Sequence, residues 1–296
     1  MKIVHSFWSK PILQSSRSKN SSIAGWPHMK YFLMSWTLSC LTFKKVYHTI
    51  ELITDAKGKE ILVDKLQLPY DSVQVTLDAL NHYPKNLWAL GKIHAYALQD
   101  EPFIHVDGDV FIWERFNSKI ENAELIGQHV DIDTGANYKS SIQMLREHGL
   151  TLPKVIETDL KEQPIIKASN AGIIGGNNVD FFKEFADQAF WFIDSNKQKI
   201  DVSIVGSSFA IIYEQFLYSA MAREKNIKVQ HYIKENETIR MDLTDFMRKY
   251  QHHEKFVHLF AAGKTKFASC RELEMQLLTE YPEYHAKVMK LIDNYV

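Results

Sequence analysis

Strand-like and helix-like patterns alternate through the first 115 residues of the chain. Short apolar runs with the character of buried strands are separated by two longer segments, residues 28–44 and 86–99, whose apolar residues recur at helical spacing. Such alternation is typical of α/β folds, in which ligands bind at the carboxyl ends of the strands. The sequence therefore predicts a mixed α/β sheet flanked by helices.

The individual elements follow from the same patterns. The predicted strands of the first half are KIVHSFW, TIELITD, DSVQVTLD and FIHVDGDVFIW, and DAKGK is predicted to be a turn. The second half is richer in helical patterns, with strands predicted at AELIGQHVD, NAGIIGGNN, KVQHYI and KFVHLFA. Because neither an internal repeat nor a low-complexity linker is visible, we expect one continuous domain, residues 1–296.

Composition narrows the classes of function. Lys plus Arg (35) almost balance Asp plus Glu (36), so the chain has no overall field that would recruit nucleic acid. Two cysteines, Cys40 and Cys270, are too few for a disulfide scaffold and fit a reducing compartment. The N-terminus lacks the apolar core of a signal peptide, and the most apolar stretch, residues 31–43, is shorter than the roughly 20 residues of a spanning helix. We expect a cytoplasmic protein without a transmembrane segment; peripheral membrane contact is left open.

Two aspartates, Asp107 and Asp109, interrupt an apolar run that reads as a buried strand. Carboxylates are costly to remove from water unless they are paired or coordinated. In an extended segment both would point to one side, while Gly108 would let the backbone turn or a ligand approach. Mg²⁺ or Mn²⁺ held by such a pair fills its other positions with water and substrate phosphates, which predicts a diphosphate site. The alternative is a solvated turn between two strands.

The apolar-D-x-D-apolar segment resembles the D-x-D motif of nucleotide-sugar-dependent glycosyltransferases with the GT-A fold, especially the glycogenin-like and capsular-polysaccharide types. This resemblance implies a Rossmann-like sheet with a helix-rich C-terminal part, a nucleotide-binding half at residues 1–115 and a donor-sugar and acceptor half at 116–296. It also implies Mn²⁺ or Mg²⁺, a nucleoside-diphosphate sugar such as a UDP-sugar, and a glycan or lipid-linked saccharide as acceptor.

The segment SNAGIIGGN resembles a strand of these enzymes that lies beside the donor sugar. The matching positions are Asn170, Ala171 and Gly172. The alternative is a glycine-rich turn before a helix that is capped by Asn177 or Asn178.

The segment FVHLFAAGKTK is similar to the His-x-x-Gly-x-x-Lys signature of glycogenin-like enzymes. The resemblance implies that His258 is a third metal ligand and that Lys264 or Lys266 contacts the diphosphate. The spacing departs from that pattern because His258 precedes Gly263 by five residues. The alternative is a structural histidine on an apolar strand.

The segment YEQFLYSAM resembles an acidic residue followed by glutamine near the reacting sugar, which implies catalytic positions for Glu214 and Gln215. The resemblance also implies a catalytic role for Asp109, because a cation bound to it would stabilise the leaving diphosphate. If the enzyme inverts the anomeric centre, Glu214 is a candidate base; the glycogenin-like resemblance favours retention. The alternative for Glu214 and Gln215 is a solvated helix face.

The first strand and its loop contact the nucleotide base in the GT-A fold, which implies such roles for His5, Phe7 and Trp8. Lys92, on the helix before the D-x-D strand, is a candidate to contact the diphosphate or the ribose; the alternative is an exposed helix lysine without a specific role. For Phe7 and Trp8 burial in the core is the alternative.

Together these features predict a metal-dependent glycosyltransferase of surface glycan or polysaccharide biosynthesis. One rival is a phosphohydrolase of the haloacid dehalogenase type with Asp107 as nucleophile, because its motif also reads D-x-D after an apolar run. That motif normally lies on the first strand, and its second acidic segment is not found after Asp109. The other rival is a catalytically inactive protein that uses the transferase fold for binding.

Overall fold

The computed structural model describes residues 1–15, 23–133, 135, 137–200, 207–234 and 255–293. Within them the strands are β1 (Lys2–Phe7), β2 (Ile50–Thr54), β3 (Ser72–Val75), β4 (Phe103–Val106), β5 (Val110–Ile112), β6 (Leu125–Gly127), β7 (Val130–Ile132), β8 (Lys167–Ser169), β9 (Ile173–Gly176), β10 (Val229–His231) and β11 (Phe256–His258). The helices of the same residues are α1 (Ser9–Ser15), α2 (Met29–Val46), α3 (Ala56–Lys59), α4 (Leu90–Ala97), α5 (Ser118–Glu121), α6 (Tyr138–Glu147), α7 (Lys154–Glu162), α8 (Val179–Ser195), α9 (Ser207–Ile211), α10 (Leu217–Glu224), α11 (Phe267–Glu280) and α12 (Pro282–Asp293).

Four short helical turns complete the described elements, and one of them, the 3₁₀ turn Leu77–His82, follows β3. A π-helical turn, Glu60–Lys65, continues α3, and a second one, Ile212–Phe216, joins α9 to α10. A 3₁₀ turn, Ala261–Thr265, precedes α11.

The chain is an α/β protein whose described residues include a seven-stranded, mainly parallel central sheet flanked by helices. The predicted fold class, a mixed sheet with a helix-rich C-terminal part, is confirmed. The strands predicted at residues 2–8 and 49–55 and the helix predicted at 28–44 correspond to β1, β2 and α2.

The chain divides into two compact units. Unit 1 consists of Met1, His82–His105 and Asn117–Glu237, and unit 2 consists of Lys2–Asn81, Val106–Phe116 and Thr238–Val296.

The core of unit 2 is built around helix α2. Its residues from Phe32 to Phe43 are all buried, which explains why the helix is apolar on every side. In the same unit β1 pairs with β2, and β2 with β3, each in parallel. Leu273 and Leu277 of α11 and Val288 of α12 belong to the same apolar cluster as Leu33 of α2. The C-terminal helices therefore complete this core.

Unit 1 contains the strand order β10–β6–β9–β4 and a separate antiparallel pair of strands, β7 and β8. Its core is aromatic: the rings of Tyr96, Phe103, Phe182, Phe185 and Tyr218 contact one another. Helix α8 supplies two of these rings at positions 182 and 185, which helical spacing places on one face.

The turn predicted at DAKGK is wrong, because the chain forms α3 and the π-helical turn there. Asp55 caps this helix: its Oδ1 accepts a hydrogen bond from the Gly58 amide at 2.6 Å, and its Oδ2 accepts from the amide and the hydroxyl of Ser9. The capping bonds favour a helix where the glycine and lysines suggested a turn.

Two segments that were predicted as single strands are each divided. FIHVDGDVFIW forms β4 and β5 with a turn between them, and AELIGQHVD forms β6 and β7. In the first case the Val110 amide donates a hydrogen bond to the carbonyl oxygen of Asp107 at 3.0 Å, which bends the backbone at the acidic pair. The prediction that the two acids share an extended strand is therefore wrong.

None of the helices in the described residues combines the length and apolar composition needed to cross a membrane.

Candidate metal centre

The turn that carries the two aspartates is fixed by helix α2. The hydroxyl of Ser35 donates a hydrogen bond to the carbonyl oxygen of Gly108 at 2.7 Å, and that of Ser39 donates to the carbonyl oxygen of Asp107 at 3.4 Å. A side chain at Gly108 would bring its Cβ to 2.3 Å from Cε2 of Trp36. Glycine is needed here because the helix lies directly against the turn.

Strand β11 brings a histidine to the same place. It pairs antiparallel with β5, so that His258 lies opposite Val110, and the Leu259 amide donates to the carbonyl oxygen of Asp109 at 3.0 Å. One ligand atom from each of Asp107, Asp109 and His258 lies within 4.8 Å of the other two. Residues separated by about 150 positions thus form one cluster of possible metal ligands.

A lysine completes the cluster. The ammonium of Lys264 forms an ion pair with Oδ2 of Asp109 and donates a hydrogen bond to the carbonyl oxygen of Ala24 at 3.0 Å. It also lies 5.9 Å from the ring centroid of Trp26. The side chains of Lys264 and Asp109 are only 14% and 12% exposed, so their attraction is weakly screened by water.

These neighbours determine the charge of Asp109. Burial alone would raise the pKa of this carboxyl group, but the positive charge of Lys264 and the ring of His258 hold it well below its usual range. Asp109 is therefore ionised at neutral pH although it is buried.

The donor set fits a hard divalent cation. The buried Oδ1 of Asp109 accepts no hydrogen bond from the described residues, and Nε2 of His258 lies 3.3 Å from it. Two carboxylates and one imidazole would leave further coordination positions for water and phosphate oxygens, as Mg²⁺ and Mn²⁺ require. Asp107, Asp109 and His258 are the residues that would hold such an ion.

His5 lies behind this cluster. It is fully buried; its Nε2 is 3.1 Å from the hydroxyl of Ser39, and its Nδ1 is 3.2 Å from that of Tyr70. Burial lowers the pKa of His5 to about 3, so the ring is neutral at physiological pH. When Nε2 carries the proton, His5 donates to Ser39, which is free to donate to Asp107. His5 supports the aspartate turn; its predicted contact with a nucleotide stays a prediction.

The two aromatic residues at the end of β1, Phe7 and Trp8, are also buried. Phe7 is 3% exposed and its ring centroid lies 5.0 Å from that of Trp36. Trp8 is 5% exposed, and its indole nitrogen donates to Oδ1 of Asn81 at 3.2 Å. These contacts account for both side chains as core residues, and a role in binding a base stays a prediction.

In unit 1 two predicted site residues contact each other. Nζ of Lys92 lies 3.0 Å from Oε1 of Glu214, which also accepts a hydrogen bond from the hydroxyl of Tyr96 at 3.3 Å. Glu214 is completely buried in the π-helical turn between α9 and α10. The alternative of a solvated helix face is therefore wrong for Glu214, and its predicted catalytic position stays a prediction.

Gln215 takes part in a second polar cluster of unit 1. Its Oε1 accepts a hydrogen bond from the hydroxyl of Tyr138 at 2.7 Å, and that hydroxyl also lies 3.1 Å from Oδ2 of Asp131. Nε2 of His129 is 2.8 Å from the other oxygen of Asp131. Burial, together with Asp131, raises the pKa of Tyr138. The sequence did not single out Asp131 or Tyr138; the polar residues within HVDID were the available signal.

The residues of the predicted donor-sugar segment form a turn between β8 and β9. Oδ1 of Asn170 accepts a hydrogen bond from the Gly172 amide at 3.0 Å, and Ala171 is buried. The predicted cap of the following helix is also present, since Oδ1 of Asn178 accepts from the Phe181 amide at 3.2 Å. The donor-sugar role of the turn stays a prediction.

The predicted residues thus fall into two groups. Asp107, Gly108, Asp109, His258 and Lys264 come together in unit 2, where Lys266 is exposed at the start of α11. Lys92, Asn170, Ala171, Gly172, Glu214 and Gln215 belong to unit 1.

Comparisons with known proteins give one family and several solved structures. The model of a family of unknown function, DUF6734, matches residues 1–291. No protein of curated function matches the chain.

Three of the similar structures are glycosyltransferases, and each is remote from this chain. The glycosyltransferase GlyE of Streptococcus pneumoniae TIGR4 shows 9% identity and a TM-score of 0.45 over 100% of this chain and 64% of that one. The galactosyltransferase LgtC, in complex with donor and acceptor sugar analogues, shows 10% identity and a TM-score of 0.45, and the match covers 97% of this chain and 100% of that one. Mouse xyloside xylosyltransferase 1 shows 9% identity and a TM-score of 0.42, and the match covers 88% of this chain and 98% of that one. The chain thus spans less than two thirds of the GlyE chain, and TM-scores below 0.5 establish neither fold nor function.

Proposed function

Since the chain belongs to the DUF6734 family of unknown function, its activity has to be argued from its own residues, and we propose that it is a metal-dependent glycosyltransferase. It would transfer a sugar from a nucleoside-diphosphate sugar, a UDP-sugar in the first instance, to a glycan or lipid-linked saccharide. The observation that carries the proposal is the convergence of Asp107, Asp109 and His258 beside Lys264.

The chemistry of glycosyl transfer explains this arrangement. As the bond between the sugar and the diphosphate breaks, negative charge grows on the leaving group and must be stabilised. When bound to Asp107, Asp109 and His258, a divalent cation supplies Lewis-acid stabilisation of that charge. Lys264 adds a second positive charge at the same place once it leaves Asp109 for a phosphate oxygen. The serine hydroxyls of α2 keep the two carboxylates in position.

The environment of Glu214 does not suit the base of an inverting reaction. A base for an inverting reaction must reach the acceptor hydroxyl, whereas Glu214 is completely buried and is bound by Lys92 and Tyr96. We assign Glu214 the role of positioning Lys92. Gln215 remains the candidate at the reacting sugar, held by Tyr138.

The arrangement does not favour the rival phosphohydrolase. A nucleophilic aspartate of the haloacid dehalogenase type normally follows the first strand, whereas Asp107 follows β4. The lysine and the histidine both lie against Asp109.

Release of UDP from a panel of UDP-sugars, measured with Mn²⁺ and with EDTA, tests the proposal. We expect release that depends on Mn²⁺ and is abolished by Asp109→Asn. Asp64→Asn is a matched control, because Asp64 is an exposed carboxylate paired with Lys59 in the same unit. Release that survives EDTA or Asp109→Asn, or an acyl-phosphate analogue trapped on Asp107 by a fluoride mimic, would refute the proposal.

A further inference from the structure

Unit 1 contains a groove that is separate from the residues discussed so far. It has a volume of about 260 Å³ and lies between α10, β10 and the strand pair β7 and β8. We call it the basic groove. Its polar lining residues are Lys167, Ser169, Ser219, Arg223, Lys228 and His231. The other described residues that line it are apolar, so no carboxylate lines the groove.

The charges around the groove are unequal. The positive charge of Arg223 is neutralised by the buried Asp159, because Nε and Nη2 of the arginine donate hydrogen bonds to its two carboxylate oxygens at 2.6 and 2.8 Å. Lys167 and Lys228 add two more positive charges at the surface. Within the described residues, the ammonium of Lys228 forms no ion pair. Within the described residues the groove therefore carries the uncompensated positive charge of Lys228, which an anion would neutralise.

The inner wall offers hydroxyl groups at hydrogen-bonding distance from one another. Nε2 of His231 lies 2.9 Å from the hydroxyl of Ser169. The hydroxyl of Ser219 accepts from the Ser169 amide at 2.8 Å and donates to the carbonyl oxygen of Gln215 at 2.9 Å, so Ser169 is the hydroxyl that can donate to a ligand when His231 donates to it. Ammonium, imidazole and hydroxyl groups are the side-chain donors that bind phosphate oxygens. Charged donors at the rim and a hydroxyl donor at the inner wall thus surround one concave surface.

We propose that the basic groove binds the phosphate group of a small phosphorylated ligand. At about 260 Å³ the groove has room for a phosphate and an attached small organic group. The apolar lining residues would contact that group. None of the residues involved belongs to the metal cluster, so the site stands whether or not the chain is a glycosyltransferase.

Calorimetric titration in EDTA, with inorganic phosphate, glucose 6-phosphate and glucose as probes, tests this site. EDTA keeps divalent metal out of the metal cluster. We expect saturable binding of at least one phosphate-bearing probe and none of glucose. The variant Lys228→Glu should weaken that binding about fivefold or more, because it reverses a charge at the rim.

Lys183→Glu is the matched control, since Lys183 is an exposed lysine of unit 1 outside the groove. Thermal unfolding without ligand verifies that both variants fold, and Lys167→Glu gives a second, independent reversal. Equal affinity for the two phosphate-bearing probes identifies free phosphate as the ligand, and tighter binding of glucose 6-phosphate identifies a sugar phosphate. Absence of saturation by either probe below about 10 mM, or unchanged affinity in both groove variants, would overturn the inference.

Discussion

The ammonium of Lys264 lies against the same carboxylate, that of Asp109, that is expected to bind a divalent cation. One carboxylate oxygen faces the lysine and the other faces His258. A cation held by this carboxylate would compete with the Lys264 ammonium for it, and an ammonium released from Asp109 would be available to a phosphate.

Lys264→Gln should tighten Mn²⁺ binding about three- to tenfold in the absence of nucleotide, because a competing cation is removed. The same variant should weaken the binding of UDP in the presence of saturating Mn²⁺, because a phosphate contact is lost. Titration calorimetry measures both effects, and Lys57→Gln, at an exposed ion pair of unit 2, is the control. Weaker Mn²⁺ binding in Lys264→Gln would show that the lysine supports the metal site and does not compete for it.

Gly108→Ala should destabilise the protein by about 1–3 kcal/mol and weaken Mn²⁺ binding, because the added Cβ would overlap the ring of Trp36. Urea unfolding and metal titration measure the two effects. The double variant Gly108→Ala/Trp36→Phe provides the internal control, since a smaller ring should return part of the lost Mn²⁺ affinity. If the double variant binds Mn²⁺ no better than Gly108→Ala, the steric explanation fails.

His5 should make the protein less stable as the pH falls below 6.5. The unfolded chain takes up a proton on this ring near pH 6.5, whereas the folded ring takes it up only near pH 3, so the unfolded state binds more protons in between. The free energy of unfolding should therefore fall by up to about 1.4 kcal/mol per pH unit towards acid. This contribution should be absent from His5→Gln and present in His48→Gln, a variant of an exposed histidine. If the free energy of unfolding depends on pH in the same way in the wild type and in His5→Gln, His5 is not the source of the acid destabilisation.

Lys92→Met should cost about 3–5 kcal/mol of stability, because it removes the cation that compensates the buried carboxylate of Glu214. The double variant Lys92→Met/Glu214→Leu should recover most of this loss. Urea unfolding of the wild type, Lys92→Met, Glu214→Leu and the double variant gives the coupling energy between the two side chains. The exposed pair of Lys183 and Asp180 is the comparison, with an expected coupling below about 1 kcal/mol. A coupling energy below about 1 kcal/mol between Lys92 and Glu214 as well would mean that another group compensates the charge of Glu214.

The sequence was sufficient to predict elements with a strong local pattern. Strand β1 and helix α2 carry long apolar runs, and the acidic pair stood out because charge is rare in such a run. His258 could be included only through its resemblance to a family signature. Its spacing to Gly263 did not decide whether Lys264 or Lys266 would face the acids.

Other features depend on contacts that no local pattern contains. Alternation along a strand predicted that Asp107 and Asp109 point the same way, but the hydroxyls of α2 favour a turn by binding its carbonyl oxygens. Lys92 and Glu214 lie 122 positions apart in the chain, and each looked like an exposed helix residue until the fold paired them. Buried ion pairs of this kind are invisible to periodicity because each partner alone reads as a polar surface position.

Ser35 and Ser39 are four residues apart, so one turn of α2 presents both hydroxyls to the aspartate turn. The recognisable signature of this site is therefore bipartite: S-x-x-x-S inside an apolar helix, together with D-G-D about 70 residues later. A chain with the second half of this signature alone would have to anchor its acidic turn by other means. Both halves should be required when further proteins with this kind of centre are sought.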